Sequence, residues 1–340
     1  MHLSPGKLMG MKRLSDEKGI FKMTAVDQRP PIKNPIAKHL NVNEAPWEEV
    51  AKFKRMLVET LQENSSALLL DPHFAIPSSM DIFDVKKGLV VTLEDSIFSE
   101  TDGGRLTKNI DNWSVSKIKR MGADAVKVLA WYRPDADKNI LEAQQDYVKK
   151  VGEQCMQNDI LFLFELLVYP LLKDEHQTQE YIEMKNKKTD HVLESVDEFA
   201  KEEYGVDVFK LESPVNVNQL NDADLSSFKK MDEIARRPWV MLSAGAGKKE
   251  FKKVLDLAFE AGCSGFLAGR AIWLDAFSHY PNWDKIKFQL ERSSKEYLLQ
   301  IGLSADNHAL PWNEHKCYSG QGSNFPFQNA SYRNLYKEIG

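Results

Sequence analysis

Cysteine is scarce in this chain. Its 340 residues include only Cys155, Cys263 and Cys317, an odd number without C-x-x-C spacing. A disulfide framework is therefore not what holds the fold together, and the three thiols read as small hydrophobes in a reducing compartment. The N-terminus lacks the basic-then-apolar layout of a signal peptide, so a cytoplasmic location is expected. Long apolar runs are missing as well. The longest, Ile160–Leu172, is about thirteen residues and contains Glu165, whereas a membrane-spanning helix needs roughly twenty. Charge of one sign never accumulates: 50 acidic residues face 45 basic ones for a net charge of −5, and runs such as Lys185–Lys188 are short and mixed. Neither a nucleic acid nor an anionic membrane is an expected partner.

Histidine spacing suited to a metal is absent too. The eight histidines are scattered without H-x-H or H-E-x-x-H, and only His73 follows a strand candidate closely. No catalytic metal is expected, and His73 reads as a hydrogen-bonding loop residue. No G-x-G-x-x-G follows the first strand candidate, which weighs against a dinucleotide fold, and no cofactor is expected.

What the sequence does have is enough apolar material for a large core, 42% of residues, arranged in one repeating pattern. Short β-branched or aromatic runs occur at Phe21–Val26, Ala67–Leu70, Leu89–Leu93, Ala125–Leu129, Leu161–Leu166, Val208–Leu211, Val240–Leu242 and Gly265–Ala268. Amphipathic stretches separate them. The clearest carries Phe251, Val254, Leu255, Ala258 and Phe259 and stops at Gly262, a residue suited to a left-handed helix end. Another carries Val50, Phe53, Leu57 and Leu61. Most of the runs are apolar on both faces, as parallel strands buried between helices and a barrel interior must be. Eight alternations over about 250 residues predict an α/β fold of the (β/α)8 TIM-barrel type rather than an open doubly wound sheet.

The expected organisation is a single domain: an N-terminal extension over 1–20 covering the barrel floor, a barrel over 21–300, and a C-terminal tail over 301–340. The tail is rich in Asn, Ser, Gly and aromatics, and those aromatics favour docking over disorder. The charged, Gln-rich loop Lys173–Asp190 reads as a solvated excursion, with an active-site flap as the alternative.

Barrel enzymes place their chemistry at the C-terminal ends of the strands. There the greasy runs are interrupted by Asp27-Gln28-Arg29, Asp71, Glu94-Asp95, Lys127, Glu165 and Lys210 with Glu212. Lysine and glutamate are rarely buried without partners. Strand alternation lets Lys127, Glu165 and Lys210 all face inward. A purely structural account pairs Lys127 with Glu165 and leaves Lys210 at an edge.

The chemical account starts from the pKa of a free lysine, about 10.4, which leaves few neutral amines near pH 7. Burial and a second cation such as Lys127 would favour the neutral form of Lys210. That amine could condense with a ketone, and Glu165 could carry the protons. The predicted reaction is carbon–carbon cleavage or its reverse. After the last two strands come Ser243-Ala244-Gly245-Ala246-Gly247 and Gly269-Arg270. Small residues there let backbone N–H groups approach a phosphate, and Arg270 adds a fork of donors.

Six blocks, Ala25–Arg29, Leu70–Pro72, Ala125–Lys127, Val206–Asn216, Leu242–Gly245 and Ala268–Trp273, together resemble the tagatose 1,6-bisphosphate aldolase family, in order from about residue 20 to 275. The resemblance implies a class I aldolase that splits a ketohexose bisphosphate into dihydroxyacetone phosphate and glyceraldehyde 3-phosphate. It implies Lys210 as the Schiff-base lysine, Glu165 as the proton shuttle, and Lys127 and Asp27 as neighbours that position and polarise it. Ser243, Gly245, Gly269 and Arg270 match segments that hold the phosphate of the Schiff-base half, and Arg29 is placed for a substrate oxygen or the distal anion. The expected partner is a small sugar phosphate, and a homo-oligomer is expected.

Three features depart from the family pattern: Pro30-Pro31 after Arg29, the tail beyond Leu303, and the loop Lys173–Asp190. A related branch cleaves 6-deoxy-6-sulfofructose 1-phosphate and shares much of Gly265–Ala271, so that sugar is the alternative substrate. A sugar-phosphate-binding regulatory or interaction protein is the alternative from another class. An isomerase or epimerase using an acid pair would leave the two buried lysines without a role.

Overall fold

Each of the eight apolar runs forms a strand in the computed structural model, which describes residues 3–172, 174, 188–318 and 330–336. The strands are β1 (Phe21–Ala25), β2 (Ala67–Leu70), β3 (Gly88–Thr92), β4 (Ala125–Trp131), β5 (Leu161–Leu167), β6 (Val208–Leu211), β7 (Trp239–Met241) and β8 (Gly265–Ala268). All pair in parallel with their sequence neighbours, and β8 closes on β1 to complete a barrel. This is the (β/α)8 barrel that double-sided apolarity required. Every residue of β4 and β5 is buried, Lys127 and Glu165 included.

Two apolar layers hold the barrel. Outside it, Val50, Phe53, Leu57 and Leu61 of the helix Trp47–Leu61 pack against the strands, as do Phe251, Val254, Leu255, Ala258 and Phe259 of the helix Lys248–Ala261. The latter helix ends at Gly262 with φ +112°, a conformation that costs glycine little. Inside, Phe21, Met23, Leu161, Leu163, Val208, Val240 and Leu267 fill the lower barrel. Among the described residues no helix is long and apolar enough to cross a membrane.

The floor is sealed from below by the helix Pro5–Leu14, whose Met11 and Leu14 join the interior cluster. Lys7 Nζ fastens this helix to Asp207 Oδ2 at 2.7 Å, just before β6. From the other terminus, Trp312 and Tyr318 enter the same cluster, and the Trp312 indole N–H donates to Ser15 Oγ at 3.1 Å. The tail is therefore docked over residues 312–318, as the aromatics there suggested. The final long helix, Lys295–His308, runs across the expected boundary at residue 300. The loop around residues 175–187 and the tail over 319–329 lie outside the described residues.

Pro30 and Pro31 open the helix Pro30–Leu40. In the first turn, where a backbone N–H has no helical partner, proline's missing donor costs nothing. After β3 a two-stranded hairpin, Ser99–Thr101 with Gly104–Leu106, folds against the ends of β4 and β5. Its Arg105 guanidinium stacks on Phe98, Trp131 and Tyr169 at 4.2, 4.9 and 5.0 Å from their ring centres. This hairpin is absent from the sequence reading.

Candidate active site

Parallel pairing sets residues in register on the same face. Glu165 on β5 is the register partner of Lys210 on β6, and both point into the upper barrel. Their side chains meet, with Lys210 Nζ 3.0 Å from Glu165 Oε2. Lys127 on β4 approaches the same oxygen at 2.8 Å. All three residues are buried. Lys210 is thus no edge residue: the two lysines share one carboxylate oxygen.

Lys127 gathers two further acids. Its Nζ lies 3.2 Å from Asp27 Oδ2 and 2.5 Å from Glu94 Oε1. Burial alone would make its charge costly, but Glu165, Glu94 and Asp27 outweigh that cost and hold the ammonium charged well beyond the ordinary lysine range. Asp27 is pushed up by burial and pulled down more strongly by Lys127, Lys210, Arg29 and Lys54 together, so it stays ionised far below the usual carboxylate range. Thr92 Oγ1 donates to it at 3.3 Å. Glu94 goes the other way: burial, with the Asp27 charge adding to it, pushes its carboxyl up to about 7 despite Lys127.

Glu94 is the residue that the sequence reading left out of the site. Arg29 Nη2 donates to the Glu94 backbone carbonyl at 3.2 Å, which places its guanidinium on the β1/β3 side of the cluster. Behind the β1 end, the fully buried Lys54 donates to Val26 O at 2.8 Å and pairs with Asp71. Asp71 in turn accepts from the N–H groups of His73 and Phe74 at 3.0 and 2.9 Å. His73 serves the loop: its carbonyl accepts the Trp47 indole N–H at 2.8 Å.

On the other side of Lys210, the amine and Glu165 open onto a small, narrow pocket lined also by Ala25, Gln28, Ser243, Gly269 and Arg270. The turn after β7 carries two successive left-handed residues, Ala244 with φ +43° and Gly245 with φ +88°. Gly245 lies against Arg270, whose Nη1 would sit 3.4 Å from an added Cβ. Gly269 is tighter still, since a Cβ there would fall 2.7 Å from Gln28 Nε2 and 2.8 Å from Ala25 O. Of the residues expected to seat a phosphate, Ser243, Gly269 and Arg270 therefore share one cavity with the candidate amine. A larger, open hollow lies at the opposite end of the barrel between Lys12, Lys22, Lys87 and Leu303. It touches none of the buried ionic cluster. Among the described residues no group of three or more His, Cys, Asp or Glu side chains is arranged to hold a metal ion.

The sequence profile of the DeoC/LacD family aldolases matches residues 21–275, the span from β1 to the helix after β8. Tagatose 1,6-diphosphate aldolase 1 of Streptococcus mutans is 32% identical over 293 residues, covering 82% of this chain and 89% of that protein. A tagatose 1,6-diphosphate aldolase of Listeria monocytogenes is 31% identical over 327 residues, covering 92% and 95%. Among solved structures, fructose-bisphosphate aldolase of Plasmodium falciparum superposes with a TM-score of 0.65 over 91% of this chain and 97% of that one. At 13% identity, that likeness is one of fold.

Proposed function

The chain belongs to the DeoC/LacD aldolase family and is a carbon–carbon lyase, and on that premise we propose that it cleaves a ketohexose 1,6-bisphosphate of the tagatose type through a Schiff base on Lys210. The products are dihydroxyacetone phosphate and glyceraldehyde 3-phosphate. The observation that carries this reading is the shared carboxylate oxygen, with Glu165 Oε2 3.0 Å from Lys210 Nζ and 2.8 Å from Lys127 Nζ, inside a pocket that also contains Ser243, Gly269 and Arg270.

The steps follow from what each group can hold or move. Attack on a ketone requires the neutral amine, and Glu165 is close enough to take the Lys210 proton. Lys210 Nζ then bonds to the ketone carbon and passes one proton to its oxygen, which leaves as water with a second proton delivered by Glu165, and an iminium ion remains. The electron pair of the bond between the third and fourth carbons moves into the iminium as the fourth-carbon hydroxyl gives its proton to the Glu165 carboxylate. The aldehyde departs and an enamine is left. Protonation of the enamine carbon and hydrolysis of the iminium release the ketone half and restore the lysine.

Lys127, held charged, fixes Glu165 between the two amines, and Asp27 keeps Lys127 in place. Ser243, Gly245, Gly269 and Arg270 hold the phosphate of the Schiff-base half through backbone N–H groups and a guanidinium. The names of the relatives support the tagatose-type sugar.

Borohydride reduction in the presence of dihydroxyacetone phosphate tests the proposal. A stable adduct on the peptide containing Lys210, absent from Lys210→Ala together with all turnover, is the expected result. An adduct on another lysine would overturn it.

A further inference from the structure

Lys127 faces more negative charge than it needs. Asp27 and Glu165 already flank its ammonium, yet Glu94 adds a third carboxyl at 2.5 Å. Burying another acid beside two others is costly unless it has a task of its own. Only one oxygen of Glu94 is used by Lys127. The other, Oε2, is buried and has no hydrogen-bond partner among the described residues, and the same holds for Asp27 Oδ1 and for Nε and Nη1 of Arg29. The three residues that carry these atoms are neighbours: Arg29 is anchored to the Glu94 carbonyl, and Asp27 and Glu94 meet on one ammonium. Acceptors and donors left open together match the hydroxyl groups of a sugar chain, which both give and accept hydrogen bonds.

The barrel order says which part of the substrate arrives there. With the ketone carbon on Lys210 of β6 and the adjoining phosphate at the turns after β7 and β8, the rest of the chain runs the other way, past β5 and β4 toward β3. Glu94 stands at the end of β3. Three successive contacts, of 3.0, 2.8 and 2.5 Å, lead from Lys210 Nζ through Glu165 and Lys127 to Glu94. A hydroxyl on the third carbon beyond the ketone falls within that reach. We propose that Glu94 is a specificity-determining residue whose free carboxyl oxygen hydrogen-bonds the hydroxyl of the aldehyde half, next to Arg29, so that the enzyme selects hydroxylated aldehydes. The inference rests on the aldolase reading above. Its raised affinity for a proton lets this carboxyl serve as donor or acceptor near neutrality.

The test runs the reaction toward condensation. Dihydroxyacetone phosphate is paired with glyceraldehyde 3-phosphate or with 3-oxopropyl phosphate, which lacks only the hydroxyl in question. The full-length enzyme is expected to disfavour the deoxy aldehyde by about 10- to 100-fold in kcat/KM, because it leaves a buried carboxyl oxygen unpaired. Glu94→Met, which keeps the length and removes the polarity, is expected to bring the two aldehydes within about threefold of each other, chiefly by losing activity on the hydroxylated one. Glu94→Gln retains the hydrogen bond and is expected to retain the discrimination. Should Glu94→Met fail to fold, Glu94→Asp withdraws the carboxyl by one methylene and is expected to lose the discrimination in the same way.

A full-length enzyme indifferent to the hydroxyl, or a variant that slows both aldehydes equally, would overturn the inference. Borohydride trapping of dihydroxyacetone phosphate on Lys210 in the same proteins separates the two proposals. Trapping that persists while discrimination is unaffected by the variants defeats the role of Glu94 alone, whereas trapping that is absent from the unmodified enzyme defeats the Schiff-base mechanism.

Discussion

Glu165 and Lys210 occupy the same register level on adjacent parallel strands, and their charged ends touch at 3.0 Å. Neighbouring residues in a parallel ladder present their side chains on the same face, so two strands suffice to fix both ends of this contact. Neither side chain has to be held by a loop, which suits a proton transfer that needs a short, constant distance.

Replacing Glu165 with Gln keeps the shape and removes the proposed proton carrier. Turnover is expected to fall by about 10²- to 10⁴-fold, the usual contribution of a positioned acid or base. Adduct formation on Lys210 should become slow but remain detectable, as followed by single-turnover borohydride trapping. A variant within a few-fold of the parent rate would mean that another group moves the proton.

Gly269 is constrained by space. A methyl group there meets Gln28 Nε2 at 2.7 Å and Ala25 O at 2.8 Å, and Ala25 O also accepts the Trp273 indole N–H at 3.2 Å. Gly269→Ala must therefore push the start of the helix Arg270–Phe277 away from β1. We expect a loss of about 1–3 kcal/mol in urea unfolding, typical of overpacking. The KM for the phosphorylated substrate should rise while trapping still occurs on Lys210.

Most of this architecture was legible because parallel barrel strands are buried on both faces. Apolar runs such as Leu161–Leu167 are then nearly uninterrupted, and a single glutamate within one is conspicuous. The exit of β3 was harder, since Leu93-Glu94-Asp95 offers two acids in succession. Period alone does not say which turns inward once the strand has ended. The structure buries Glu94 and leaves Asp95 only half-buried, 3.8 Å from Lys108. Lys54 did carry a signal that went unread. It falls between Val50 and Leu57 on the buried stripe of its helix, where a lysine needs an explanation. The Ser99–Leu106 hairpin had no such cue, because three-residue strands are too short to show alternation.

Lys54 and Asp71 form a fully buried pair behind the β1 and β2 ends. Lys54→Met leaves the Asp71 carboxylate without its cation and Val26 O without its donor, at a cost of about 3–5 kcal/mol. Adding Asp71→Asn removes the stranded charge while keeping an oxygen for the N–H groups of His73 and Phe74. The double variant is expected to recover part of that loss in chemical denaturation. Additive losses would show that the two side chains do not stabilise each other.

The docked tail makes a prediction about pH. His315 is buried beneath the barrel, where its ring Nδ1 accepts the Cys317 backbone N–H at 3.3 Å. Burial pushes its pKa down to about 4 from an ordinary value of 6.5, against a weaker pull upward from Asp232. Between those values the unfolded chain binds a proton that the folded chain does not, so acidification draws the equilibrium toward unfolding. The contribution is fully present above pH 6.5 and is lost as the pH falls toward 4. By pH 5 the loss amounts to about 2 kcal/mol. His315→Asn, which keeps an acceptor in place of Nδ1 but does not titrate, should flatten the fall in stability between pH 7.5 and 5 by that amount in urea denaturation. If both proteins lose stability in parallel over this range, the imidazole is not held neutral and the tail is less firmly seated on the floor than its contacts with Trp312 and Tyr318 require.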